Sequence, residues 1–206
     1  MNRFHTAAAV TAATAALILT PLSAATAAPA EAAAEPRPKA KFLAAKELPT
    51  ARTPWTAEKV KPGRAEDFCV GTILPKSSSG HRAFHTEMDT SARQTITVAA
   101  SDAKAGALVA KVRKALDGCL AELKKEYPGL KGKSEYEGKI AVEEGAHVYS
   151  IDTADPRTGA DDVALYSVGR DGRTVTVVSW GQLGDLKKSH LKGFQKTART
   201  SVAKLY

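Results

Sequence analysis

The chain has 206 residues, of which 43% are hydrophobic and 25% charged, with a formal net charge of +8 and two cysteines. That apolar fraction excludes a disordered or collagen-like chain, and so few cysteines exclude a disulfide-dense miniprotein. The basic residues are spread without interleaved aromatics, which argues against a nucleic-acid binder and reads as a well-solvated surface, with anionic cell-wall polymers or lipid surfaces as the alternative partners.

Residues 1–27 read as a signal peptide. Arg3 and His5 precede the Ala-rich apolar stretch from Ala7 to Leu19, Pro21 breaks it, and Ala25-Thr26-Ala27 has the small residues that a signal peptidase accepts. The apolar run is too short for a membrane span, and no second run follows it. Residues 28–47 are mostly Ala, Pro, Glu and Lys, a composition that buries too little surface to offset its ordering entropy, so a disordered tether is expected there. Residues 48–206 then form a single domain of ordinary size. Near its start, Trp55 is expected to plug one end of the core.

Phe68-Cys69-Val70 is a short apolar insertion. Two cysteines in an exported chain pair with one another, so Cys69 and Cys119 are expected to form a disulfide, worth about 4 kcal/mol in restricted unfolded-chain entropy. His81 to Met88 and Ala92 to Ala99 read as a hairpin around Asp89-Thr90-Ser91. Phe84, Thr86 and Met88 share one side, His85 and Glu87 the other, and Ile96 and Val98 point inward. From Ser101 to Glu126 the apolar residues Ala105, Leu108, Val109, Val112, Leu116, Cys119, Leu120 and Leu123 recur at steps of three and four, which predicts a helix with one buried face. Ser101 suits its start, and Pro128-Gly129 its end.

A second strand group follows, at Ser134 to Val142, His147 to Ile151, Asp161 to Gly169 and Arg173 to Trp180. Asp171-Gly172 is its clearest hairpin signal, because a type I′ turn needs positive φ. Val175 and Val177 fall on one face of the last strand and Val178 and Trp180 on the other, so that strand is expected to be covered on both sides. Leu191, Phe194, Ala198, Val202 and Leu205 form the stripe of a final helix over about 186–205. Hairpin-connected strand groups, each closed by a helix, predict an α+β fold with an antiparallel sheet packed against two main helices. The stretches at 84–91 and 148–154 echo one another and raise the question of a duplicated half.

Asp89-Thr90-Ser91-Ala92 matches the aspartic-protease signature, and Asp152-Thr153 offers a second carboxylate. The second copy continues with Ala154 where Gly or Ser is needed, so Asp89 reads as a turn residue. His81, His85 and Glu87 lack any zinc spacing, so no metal, cofactor or catalytic residue is expected.

Several stretches together resemble the PknH-like extracellular sensor domains. They are Glu47-Leu48-Pro49 with Trp55, Phe68-Cys69, the hairpin from Phe84 to Thr90, Leu116-Asp117-Gly118-Cys119, and Trp180 to Leu186 followed by a helix ending Ala203-Lys204-Leu205-Tyr206. The resemblance implies a twisted antiparallel sheet with helices packed on it, and a cleft for an unidentified ligand. This chain has one cysteine pair where the kinase-attached form has two. The expectation is a secreted, extracellular, non-catalytic ligand-binding domain whose partner is a small molecule or envelope polymer. His85 and Glu87 of the first hairpin, with Tyr149 and Tyr166 of the second strand group, are the expected lining of the cleft. The alternatives are a secreted hydrolase using Asp89 and His85, and an interaction module docking on an envelope protein.

Overall fold

The computed structural model describes residues 40–206; the expected signal peptide and residues 28–39 of the expected tether lie outside the described residues. The strands are β1 Thr56–Ala57, β2 Lys61–Pro62, β3 Ser79–His85, β4 Ser91–Val98, β5 Lys131–Ile140, β6 Ala146–Asp155, β7 Ala160–Asp171 and β8 Thr174–Leu183. They form one 8-stranded sheet in the order β1-β3-β4-β8-β7-β6-β5, with β2 also pairing with β3. Every pairing is antiparallel. Helix α1, Asp102–Glu126, packs on one face, and helix α2, Lys188–Ala203, on the other. The fold is α+β, as the order of strand groups and helices predicted, and carries the one disulfide expected of two cysteines.

Local chemistry accounts for the main elements. Ser101 Oγ accepts the Lys104 N–H at 3.2 Å, and Asp102 and the Lys124-Lys125 pair sit at the ends of α1 that favour their charges. Ala105, Val112, Leu116 and Cys119 are buried against Tyr149, Ile151, Val168, Val175 and Val177. On the opposite face, Phe194, Ala198 and Val202 of α2 pack on Val148, Leu165, Val178 and Trp180. Val202 comes so close to Gly169 that a Cβ there would overlap it, so glycine sets the approach of α2 to the sheet. Asp171 pairs with Thr174 across a tight turn in which Gly172 has φ of 53°. Thr174 through Val178 of β8 are all buried, because β4 and β7 flank the strand and a helix layer covers each face.

Four expectations change. Residues 40–47 belong to the fold: Leu43 is fully buried, its N–H donates to Gln94 Oε1 at 2.7 Å, and Lys204 Nζ meets Glu47 Oε2 at 2.7 Å. These few specific contacts order a segment whose average composition reads as disordered. Val98 is exposed because it ends β4 at the margin of the sheet, and Met88 is exposed because the strand stops before it. The echo does not mark equivalent halves, since 84–91 crosses a turn while 148–154 lies inside one strand.

Candidate ligand-binding cleft

The register places Ser91, Gly181, Ala164 and Ile151 side by side across β4, β8, β7 and β6. One step further into the sheet, on the same α1 face, lie Arg93, Ser179, Tyr166, Tyr149 and Tyr136. One step outward lie Leu183, Asp162 and Thr153. Ser91, Gly181 and Ala164 are small, and beside the larger Tyr166, Leu183 and Ile151 they leave a trough, a cleft of about 360 Å³. Tyr166 forms its inner end, Asp162 and Leu183 its outer rim, Leu123 of α1 and the Phe68-Cys69 loop its walls, and Asp89 reaches in from the β3–β4 turn. Gly181 is central to this space. A Cβ there would meet only the Val163 carbonyl oxygen, at 3.4 Å, so packing does not demand glycine. Its effect is to keep the trough open.

The inner wall rests on a partly buried polar group. Asp67 Oδ1 accepts the backbone N–H of Cys69 at 2.9 Å and of Val70 at 3.1 Å, which shapes the loop that carries the disulfide. Burial pushes the Asp67 carboxyl above its usual range, against the pull of hydrogen bonds from Val70, Ser179 and Cys69 and the charge of Arg93. Tyr166 lies beside it. Burial, reinforced by the Asp67 charge, raises the phenol well above its ordinary value, so the hydroxyl stays protonated and donates to Asp67. Asp162 at the rim is also raised, by burial and by neighbouring Asp161.

The Cys69–Cys119 disulfide is formed, with Cα atoms 5.2 Å apart, and it ties the loop to α1. Of the four expected lining residues, the structure brings only Tyr166 to the cleft. Tyr149 occupies the adjacent position, but it packs under α1 and does not line the cleft. Its hydroxyl accepts from Arg113 Nε at 3.1 Å, and the Arg113 guanidinium lies 5.5 Å from the centre of the Tyr136 ring. Tyr136 Oη in turn lies 2.8 Å from His147 Nδ1. Burial, aided by the charges of Arg113 and Lys139, lowers the His147 pKa to about 4. His85 is exposed on β3, with Nδ1 3.9 Å from Glu58 Oε1, and Glu87 is exposed in the following turn. Neither lines the cleft, because α1 lies over β5 to β8 and the trough begins at Ser91 of β4.

Asp89 does reach the cleft, and Thr90 Oγ1 donates to its Oδ1 at 3.3 Å, as suits a turn. Asp152 pairs with Val163 on the α2 face, so the two Asp-Thr stretches do not assemble facing loops. Asp67, Asp162 and Gly181 were not expected at the site. The one local signal was Gly181, a glycine interrupting a strongly strand-forming run.

No family model and no curated protein matches this sequence. Among solved structures, the fold is similar to the extracellular domain of a bacterial protein. That protein is PknH from Mycobacterium tuberculosis, 8% identical, with a TM-score of 0.44 over 78% of this chain and 97% of that one. A likeness at that level assigns no residue and no role to this chain.

Proposed function

We propose that this protein is a non-catalytic, sensor-like domain that acts in the cell envelope or outside the cell and captures a small molecule in the α1-face cleft. The observation that carries this reading is the run of small residues Ser91, Gly181 and Ala164, which leaves a trough of about 360 Å³ beside Tyr166, Ile151 and Leu183. An apolar floor with a few placed polar groups is the usual make-up of a small-molecule site. Asp89 and Asp162 at the margin suit a ligand bearing hydroxyl or amino groups. The disulfide fits an oxidising compartment, and the resemblance of the sequence to PknH-like sensor domains is in keeping with this by analogy alone.

The test is a thermal-shift screen of polyols, amino sugars and polyamines on the wild-type protein, repeated on Gly181→Leu, with Gly181→Ala as a folding control. A ligand present at a hundred times its Kd should stabilise the wild type by about 2.7 kcal/mol. It should have little effect on the leucine variant, whose side chain fills the trough. A hit of equal strength in both proteins would move the site elsewhere. A screen without hits, combined with a partner protein that co-purifies from the native source, would favour the interaction module.

A further inference from the structure

On the far side of Phe68 and Cys69, a second cavity of about 470 Å³ runs between α1 and the disulfide-bonded loop. Phe68 and Ile73 line it from the loop, Ala115 and Gly118 from the helix, and the Cys69–Cys119 bond joins the two walls. Phe68 is 51% exposed, a large aromatic side chain held in water by an anchored loop. Glycine is the least favourable residue of a helix interior after proline. A Cβ on Gly118 would meet nothing within 4 Å, so no packing contact requires glycine there, and its effect is to leave the groove open.

The charges around this apolar groove are unbalanced. Lys111 and Lys114 both line it, one helical turn apart on the same side of α1. Neither forms an ion pair among the described residues. The acidic residue of the lining, Glu122, is already engaged by Lys125 at 2.7 Å. An apolar channel with two unpaired ammonium groups matches a molecule with a hydrocarbon chain and an anionic head.

We propose that this groove binds a fatty acid, with the acyl chain along Phe68, Ile73 and the disulfide and the carboxylate at Lys111 and Lys114. This site is separate from the cleft proposed above, and its occupant has the opposite charge preference.

The test uses the full chain and 11-(dansylamino)undecanoic acid as a fluorescent probe, with dodecanoate, dodecanol and dodecyltrimethylammonium as competitors below their micelle-forming concentrations. Saturable probe binding is expected, with dodecanoate displacing the probe about tenfold more effectively than dodecanol and the cation least effective. Lys111→Glu combined with Lys114→Glu should cost dodecanoate about tenfold while leaving dodecanol unchanged. Gly118→Leu should abolish probe binding. Gly118→Ala, which favours the helix and adds only a methyl group, should retain it, as should Gly181→Leu in the other cleft. Absence of saturable binding to the wild type, equal displacement by all three competitors, or undiminished binding by Gly118→Leu would each overturn the proposal.

Discussion

Burial moves Asp67 and His147 in opposite directions along the pH axis. Asp67 titrates above its ordinary 3.8 in the folded protein, so between the unfolded and folded values the native state holds the proton more tightly. Its contribution to stability is present below pH 3.8 and is lost as pH rises through the raised folded value. His147 is lowered from 6.5 to about 4, so the unfolded chain holds the proton more tightly over that window. Its contribution is intact above pH 6.5 and is eroded as pH falls towards 4. Urea unfolding of wild type, Asp67→Asn and His147→Gln across this range should therefore give diverging curves. The asparagine variant should gain on the wild type as pH rises, since its amide oxygen still accepts the Cys69 and Val70 N–H groups. The glutamine variant should gain as pH falls. Curves parallel to the wild type would show that neither group is held away from its ordinary titration.

Helix α1 and the loop bonded to it form the element on which both cavities depend. The helix was legible because its buried positions follow the 3.6-residue period and its ends carry the expected cap and charges. The course of the loop was not, since Val70 and Leu74 are buried only once α1 lies over them. The disulfide joins residues 50 apart in sequence and restricts the unfolded chain by about 4 kcal/mol. Cys119→Ser should therefore lower the melting temperature by roughly ten degrees, whereas Lys114→Ala, on the exposed side of the same helix, should change stability by less than about 0.5 kcal/mol. Calorimetry of the two variants separates a structural disulfide from a dispensable one. A small shift for Cys119→Ser would mean that apolar packing alone holds the loop.

At the scale of the whole molecule, residues 40–48 run along the α2 face and complete its core. Lys41 N donates to the Lys204 carbonyl at 2.9 Å, near the end of α2. The buried Gln94 amide is satisfied from two sides, accepting from Leu43 N and donating to Thr176 Oγ1 at 3.1 Å. Leu43→Ala should cost about 2–5 kcal/mol, the usual range for a fully buried leucine. A chain starting at residue 48 should be at least as unstable, because Gln94 Oε1 loses its donor inside the core. Denaturant unfolding measures both. A disordered tether would leave stability unchanged in each case.

The sequence by itself determined what depends on neighbours close along the chain. The faces of α1 and α2, the turn at Asp171-Gly172 and the double burial of β8 follow from local period and turn chemistry. Cys69 had only one possible partner, so that pairing was legible too. The cleft was decided by tertiary structure. Its floor brings Ser91, Ile151, Ala164 and Gly181 together from four strands, and no local pattern states which small residues will stand beside which large ones. Tyr149 and Tyr166 were indistinguishable in sequence, both aromatic residues in strands. Both are buried, and only the placement of α1 gives them different roles, with Tyr149 packed beneath the helix and bonded to Arg113 while Tyr166 stands at the end of the trough.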